Sequence, residues 1–365
     1  MTVLNKAASD IAPLDFHIYA GKEALTHIKQ QGLKDDDISM LLGASSGPKW
    51  LALHGFDQYL IPRLANSSQR KQPLDLLGTS AGAWRMACYA QKDASAAHLR
   101  LTDAYIEQSY SKRPSGDEIL ASCRKMVNSM LGDTGTEEIL EHSSSRLHFI
   151  TTQCHGLAAN QKRLWQGLAF AIAGLGNLLS RKSLGLHFTR IVMHHPTNKP
   201  PLDTVKDFPS RYQPLVQNQL ADSLLSTGCI PILTKGVENI AGKGLYQDGG
   251  ITDYGFDLPF KPKEGFVLYP HFSKLPAPGW FDKSLKWRKP SHDNYARTIL
   301  LVPKQKFIES LPFGKIPDRN DFVKLKDSER KEYWREVVQR TQTFSTQLEA
   351  LKPQDWAKYA KPLPW

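Results

Sequence analysis

The chain has few cysteines for its length, and they are not spaced as a disulfide framework or a zinc site would require. Four occur in 365 residues, and no two of them form a C-x-x-C pair. Scattered single cysteines are typical of free thiols in a reducing compartment. We therefore predict no structural zinc, no other metal and no cofactor. The four are Cys88, Cys123, Cys154 and Cys229.

Secretory and repetitive segments are missing as well. The first residues, Met1 to Lys6, lack the apolar run of a secretory signal. We therefore expect an intracellular, cytoplasmic protein. No internal repeat or low-complexity tract interrupts the chain. With 41% hydrophobic residues it can bury a large core, as one large domain or two.

Acidic residues are too few to balance the basic ones, and the net charge of +11 at pH 7 favours an anionic partner. The excess is dense between residues 261 and 306, where Trp280, Phe281 and Trp287 are interleaved with the charges. The pattern fits a plain solvated face, peripheral contact with an anionic membrane, or nucleic acid. No nucleic-acid motif accompanies it, so we expect no nucleic-acid partner. The basic residues are Lys261, Lys263, Lys274, Lys283, Lys286, Arg288, Lys289, Arg297, Lys304 and Lys306.

Short apolar segments alternate with helical ones along most of the chain. This alternation predicts an α/β fold with a mostly parallel central sheet flanked by helices on both faces. Helices are predicted over 22–31, 48–64, 81–130 and 213–226, and the tail from about residue 318 is charged and helical. Strands are predicted at residues 16–20, 38–42, 74–77, 147–154, 188–193, 265–269 and 298–302.

A G-x-S-x-G turn at residues 78–82 stands between an apolar strand and a predicted helix. This is the context of a nucleophile elbow, in which the serine is exposed on a tight, strained turn. The neighbours must be small, and Gly78, Ala81 and Gly82 meet that demand. The N–H groups at the start of the helix point to the same place as the Ser80 hydroxyl.

A second G-x-S-x-G turn, at residues 43–47, also follows an apolar strand and precedes a helix. The helix begins at Pro48, at a position where the missing N–H costs nothing. Only one of the two turns can carry the nucleophile. The other turn is then an anion-binding loop. These local patterns alone do not firmly decide which turn has which role.

A third motif, Asp248-Gly249-Gly250, follows a glycine-rich stretch. Alone, it would be a plain turn. In this order the three motifs resemble those of the patatin-like phospholipases, a family of lipid acyl hydrolases, over roughly residues 16–254. The resemblance implies that Ser80 is the nucleophile and Asp248 the catalytic aspartate.

The resemblance also implies an oxyanion loop at residues 45–50. The family pattern has three glycines, a variable residue, a basic residue and a glycine; of these, only Gly47 and Lys49 agree here. Ser46 and Gly47 are the expected backbone donors, together with Ala81 in the elbow, and Lys49 is a helper charge or a scaffold contact. Serines and a tryptophan occupy the other slots.

The implied chemistry is a Ser-Asp dyad that forms an acyl-enzyme on Ser80, with Asp248 as the base. We therefore expect a serine lipid acyl hydrolase of the phospholipase A type, acting on a lipid or related acyl ester. Acyltransferases and thioesterases use the same dyad, and a weak oxyanion loop would leave a lipid-binding protein. A Ser-His-Asp triad stays open on composition, with His155, His194 and His195 near strand ends.

The predicted organisation is a catalytic domain at residues 1–310, in which 95–185 includes a helical cap, and a helical extension at 311–365 packed on the core. The apolar stretch from Leu164 to Leu179 is shorter than the roughly 20 residues of a membrane span, and it contains Gln166 and Asn177. It is a buried core helix, a cap over the acyl pocket, or an element that touches a membrane. Basic pairs flank it on both sides.

Overall fold

The computed structural model describes residues 13–65, 70–203 and 205–365, and eleven strands in this part of the chain form one sheet. The segment on which the expectation of no secretory signal depends lies outside the described residues. The strands are β1 (Phe16–Ala20), β2 (Ile38–Gly43), β3 (Leu74–Thr79), β4 (Ser145–Cys154), β5 (Phe188–His194), β6 (Ser210–Pro214), β7 (Val237–Glu238), β8 (Leu245–Gln247), β9 (Phe266–Pro270), β10 (Thr298–Pro303) and β11 (Ala360–Pro362).

Helices connect most of the strands and account for the carboxyl-terminal part of the chain. None of the described helices is long and apolar enough to cross a membrane. They are α1 (Lys22–Gln31), α2 (His54–Leu60), α3 (Ala81–Tyr89), α4 (Ala94–Ile106), α5 (Gly116–Leu131), α6 (Gly135–Glu141), α7 (Arg163–Leu179), α8 (Leu220–Thr227), α9 (Gln305–Ser310), α10 (Asp321–Lys324), α11 (Asp327–Arg340), α12 (Gln342–Ala350) and α13 (Trp356–Tyr359).

The sheet is mostly parallel, in the order β11-β1-β10-β9-β2-β3-β4-β5-β6, with β7 and β8 off this path. The central strands β2, β3 and β9 pair in parallel with their neighbours, and β4 is parallel to β3. Buried on both faces, these strands are nearly continuous apolar runs, as parallel strands generally are. The predicted fold class is confirmed.

Two elements differ from the sequence prediction. The segment predicted as a helix from residue 213 begins inside strand β6, and the helix there is the shorter α8. The carboxyl-terminal extension adds β11 to the sheet, parallel to β1. These strands are short or polar, and they are held by their neighbours in the sheet and not by a strong local pattern.

The carboxyl-terminal helices pack into the main hydrophobic core beside the amino-terminal ones. Trp334 and Val337 of α11 and Phe344 and Leu348 of α12 are fully buried there. Phe344 stacks on Phe56 of α2, with ring centroids 4.6 Å apart. The extension is therefore part of the structure that supports the elements next to the elbow.

A buried ion pair fixes helix α3, which begins directly after Ser80. Arg85 of α3 donates two hydrogen bonds to Asp57 of α2, at 3.0 and 2.7 Å. Tyr89 and His98 also contact this carboxylate, at 2.8 and 3.0 Å. Burial opposes the charge on Asp57, but Arg85 and His98 hold its pKa well below the usual range. Removing one partner from such a network leaves an uncompensated buried charge, which is strongly destabilising. The network therefore holds α3 in one orientation.

Candidate active site

Ser80 and Asp248 are brought together along one edge of strand β4. β3 runs parallel to β4 and ends where Thr79 pairs with Ile150. β8 runs antiparallel to β4 and ends where Gln247 pairs with Thr152. Because β5 occupies the other edge of β4, β3 and β8 must share this edge and run towards each other. The residues that follow them, Ser80 and Asp248, therefore meet opposite Thr151.

Ser80 occupies the strained backbone conformation of a nucleophile elbow. Its φ is 53° and its ψ is −135°, a region that residues other than glycine rarely adopt. The turn packs tightly on the end of β2, since a Cβ on Gly82 would lie 2.1 Å from the carbonyl oxygen of Gly43. A Cβ on Gly78 would lie 2.4 Å from the Cα of Ala83. The small residues of the motif are thus required by close backbone contacts.

The Ser80 hydroxyl donates a hydrogen bond of 2.8 Å to Oδ2 of Asp248, and both side chains are buried. The other carboxylate oxygen, Oδ1, accepts from the N–H of Gly250 at 2.7 Å, so the D-G-G turn fixes the aspartate. Burial raises the pKa of Asp248, while Arg319, Ser80, Gly250 and Lys283 each partly oppose this rise. A carboxylate with a raised pKa beside a serine hydroxyl is suited to accept its proton.

The backbone N–H groups of Ser46, Gly47 and Ala81 have no hydrogen-bond acceptor among the described residues. They are the donors expected from the sequence. Their neighbours are already used, because the Ser45 N–H donates to the Tyr254 carbonyl at 2.9 Å and the Ser80 N–H to the Thr227 hydroxyl at 2.9 Å. Unused N–H groups at a loop and a helix start are the usual components of an oxyanion hole.

Trp50, the largest departure from the family pattern of the loop, packs away from the pocket. Trp50 is fully buried in the core, where its ring meets those of His98 and Tyr105 edge-on at 5.6 and 5.5 Å. Gly47 has a φ of 54°, which a glycine adopts without strain. Gly43 lies at the end of β2, and Gly249 lies in the D-G-G turn.

The structure distinguishes the two G-x-S-x-G turns, which their local sequence patterns alone left unranked. Ser45 does not have the positive φ of Ser80, and no carboxylate among the described residues accepts from its hydroxyl. Its side chain lies instead against the D-G-G turn, since a Cβ on Gly250 would be 2.5 Å from Ser45 Oγ. Of the two serines, only Ser80 has a base in hydrogen-bond contact.

The three histidines considered for a triad are bonded elsewhere. His155 contacts the Thr189 hydroxyl at 2.8 Å, His194 the His195 carbonyl at 2.8 Å, and His195 the Thr197 hydroxyl at 2.9 Å. Burial is the main cause that lowers the pKa of His155 and lowers that of His195 to about 4. Within the described ranges, no histidine forms a hydrogen bond with Ser80 or Asp248.

An apolar pocket opens beside the dyad. Asp248, Gly250 and Ser45 form its polar side, and Arg319 stands at its margin. Helix α7 contributes Phe170 to its wall. The remaining lining residues are Ile230, Pro231, Ile232, Ile251, Tyr254 and Trp280. A pocket of this composition next to a serine fits the hydrocarbon part of an ester.

Three cations lie close to this pocket. One of them, Arg319, lines the pocket and was not predicted from the sequence. Arg319 lies over the loop, with its Nε 3.0 Å from where a Cβ on Gly47 would stand. The Lys283 ammonium lies 4.6 Å from the ring centre of Tyr254, and that of Lys49 5.0 Å from the ring centre of Phe272. Desolvation, with Lys49 and Arg319 nearby, lowers the pKa of Lys283 to about 8. No motif marks Arg319, because it belongs to a loop far along the chain.

A second missed feature holds the D-G-G turn in place. Arg190 of β5, fully buried, donates to both carboxylate oxygens of Asp253 at 2.6 and 2.9 Å and to Asp207 at 2.9 and 3.0 Å. The Asp253 carbonyl accepts from the hydroxyl of Thr79, at 3.0 Å, one residue before Ser80. The network thereby ties the turn after Asp248 to the strand before Ser80.

No family model, curated protein or solved structure matches this chain.

Proposed function

We propose that the protein is a serine lipid acyl hydrolase of the patatin-like type, with Ser80 as nucleophile and Asp248 as base. The observation that carries the proposal is the 2.8 Å hydrogen bond between Ser80 Oγ and Asp248 Oδ2 on a strained elbow. Serine is a poor nucleophile at neutral pH unless a base is within hydrogen-bond reach. A buried serine-carboxylate contact of this kind meets that requirement.

The reaction takes two steps. Ser80 Oγ forms a bond to the ester carbonyl carbon as its proton passes to Asp248, and the oxyanion accepts from the N–H groups of Ser46, Gly47 and Ala81. The tetrahedral intermediate breaks its bond to the leaving alkoxide, which takes the proton from Asp248, and leaves an acyl-enzyme. Water then attacks the acyl carbon, gives its proton to Asp248, and the fatty acid leaves as Ser80 regains a proton.

The same dyad would serve an acyltransferase or a thioesterase, which differ in the acceptor or in the leaving group. A lipid-binding protein without catalysis is less well supported, because the serines and Trp50 in the oxyanion loop leave three N–H groups free of acceptors in the described structure. The four cysteines are separate buried thiols, which supports a reducing, cytoplasmic compartment.

The proposal is tested with a fluorophosphonate probe on the purified full chain. We expect covalent labelling of Ser80, identified by peptide mass, since only an activated serine attacks phosphorus. We also expect release of fatty acid from phospholipid vesicles. Heat-denatured protein is the control and should not label. Absence of both labelling and fatty-acid release from folded protein would overturn the proposal.

The cations at the pocket favour an ester with an anionic group near the scissile bond, as in a phospholipid, over a neutral glyceride. We expect Arg319→Gln to lower kcat/KM for an anionic acyl ester by about tenfold, and to leave a neutral ester of equal chain length nearly unchanged. Because Arg319 lowers the pKa of Asp248, the acid limb of the pH profile should also move to higher pH.

The matched control is Lys324→Gln, an exposed cation in the same part of the chain. Both assays are made above the acid limb, so that Asp248 is ionised in every variant. Equal losses on anionic and neutral esters in the Arg319 variant would show that Arg319 supports the loop and does not select charge.

A further inference from the structure

Helix α7 buries its two amide side chains and exposes its largest aliphatic ones, unlike an ordinary surface helix. The side that faces the protein carries Gln166, Ala169, Phe170, Ala173 and Asn177, all buried. The side that faces solvent, called here the outer face, is almost entirely aliphatic, and its spacing is that of one helical stripe. The outer face consists of Leu164, Leu168, Ile172, Leu175 and Leu179, which are 78%, 46%, 45%, 66% and 90% exposed.

Buried polar contacts at both ends fix this orientation. Gln166 donates to the Ala158 carbonyl and the Gln247 side chain and accepts from the Ile232 N–H at 2.7 Å. Near the other end, Asn177 donates to the buried carboxylate of Asp282 at 2.7 Å. Rotating α7 to bury its leucines would break these hydrogen bonds and leave their buried partners unsatisfied. The outer face is therefore held towards solvent by the rest of the fold.

Asp282 also binds two arginine side chains next to α7. Arg181 and Arg288 both form ion pairs with it, and Arg288 also donates to the Asn177 carbonyl at 2.8 Å. Arg288, which was predicted from the sequence to belong to the basic region, and Arg181, which is in one of the basic pairs flanking α7, therefore stabilise the fold. The cations left exposed near the helix ends are Lys162, Arg163, Lys182, Lys286 and Lys289.

The apolar surface continues from α7 onto its neighbours. Trp280 contacts Phe170 with ring centroids 6.2 Å apart, and Ile232 lies against Gly167. Trp280, Ile232 and Trp287 are 43%, 37% and 68% exposed. The sequence has no aspartate or glutamate anywhere from residue 142 to residue 202, so every charge on this segment is positive.

We propose that the outer face of α7 docks on an anionic lipid surface and delivers substrate to the pocket. Exposed aliphatic side chains, tryptophans and cations are the composition that an anionic bilayer interface accepts. Ile232 and Trp280 line the pocket and are also partly exposed beside α7, so they connect the pocket with the surface next to this helix. The delivery step rests on the proposed function, but the docking itself does not.

The test replaces three leucines of the outer face, Leu164→Gln, Leu168→Gln and Leu175→Gln, because glutamine keeps the helix while removing the apolar surface. The matched control replaces three exposed aliphatic residues elsewhere, Leu99→Gln, Val216→Gln and Val323→Gln, which are 54%, 40% and 87% exposed. Co-sedimentation measures binding to sucrose-loaded vesicles of phosphatidylglycerol with phosphatidylcholine, and to phosphatidylcholine alone.

We expect wild type and control to bind the anionic vesicles, more weakly as salt rises, and the α7 variant to bind at least about tenfold more weakly. Hydrolysis of a soluble short-chain ester should be equal in all three. Equal vesicle binding by the α7 variant and the wild type overturns the proposal. The proposal is also overturned if the outer face forms a dimer contact instead. Light scattering would then show a wild-type dimer that only the α7 variant loses, while vesicle binding is unchanged. Vesicle binding without any esterase activity would instead overturn the proposed function and leave docking supported.

Discussion

Replacing Ser80 with alanine is expected to abolish ester hydrolysis, with kcat reduced by at least about 10⁴-fold, while the protein stays folded. Loss of the nucleophile in a comparable serine hydrolase costs about 10⁶-fold, since no other group can form the acyl-enzyme. Alanine also fits the elbow, which already requires small neighbours at Gly78 and Gly82. The backbone at residue 80 keeps its strained positive φ in the variant, so we expect the substitution to bring no gain in stability.

The measurements are hydrolysis of a chromogenic acyl ester, labelling by a fluorophosphonate probe, and the melting temperature. Ser45→Ala is the matched control, because Ser45 lies in the other G-x-S-x-G turn and lines the pocket beside Asp248. It should keep labelling and most of its activity. If labelling is lost in the Ser45 variant and kept in the Ser80 variant, the roles of the two turns are reversed.

Replacing Asp248 with asparagine should reduce kcat by about 10³-fold or more, because the amide cannot accept the serine proton and general bases contribute 10²–10⁴-fold. The amide is nearly the same size as the carboxylate, so both hydrogen bonds of residue 248 have a counterpart, to Ser80 and to the Gly250 N–H. Binding of lipid should persist in this variant, because the apolar wall of the pocket is unchanged.

The raised pKa of Asp248 gives this prediction a pH dependence in both activity and stability. The base must be ionised, so kcat/KM of the wild type should fall as pH falls through the raised pKa. A carboxyl whose pKa is higher folded than unfolded contributes stability that is full below the unfolded pKa and is lost as pH rises through the folded pKa. At neutral pH the Asp248→Asn variant should therefore melt no lower than wild type, although it is inactive.

Histidine variants separate the dyad from a triad. His155→Ala and His195→Ala should keep esterase activity, because their side chains are bonded to Thr189 and Thr197 and not to the dyad. A loss in either one as large as that in Asp248→Asn, in protein with an unchanged melting temperature, would replace Asp248 by a histidine as the direct base. An Asp248→Asn variant with near wild-type activity would do the same.

Local patterns in the sequence were sufficient to predict the fold class and a tight turn at Ser80. The alternation of apolar strands with helices predicted an α/β sheet, because strand and helix periodicities are set by the chain itself. The glycines around Ser80 predicted a turn in which backbones touch, and the contact of Gly82 with Gly43 is that constraint. The short strands β6 and β11 escaped prediction because pairing with neighbours, and not propensity, holds them in the sheet.

Only the tertiary structure decided which groups share the site. Ser80 and Asp248 are 168 residues apart, and they meet because β3 and β8 end against each other on one edge of β4. Arg319 reaches the pocket from a loop between β10 and β11, and no nearby motif marks it. The sequence predicted a helix at α7 but not its orientation, because leucines, alanines and glycines give both sides of the helix low polarity. The buried hydrogen bonds of Gln166 and Asn177 decide which side faces solvent.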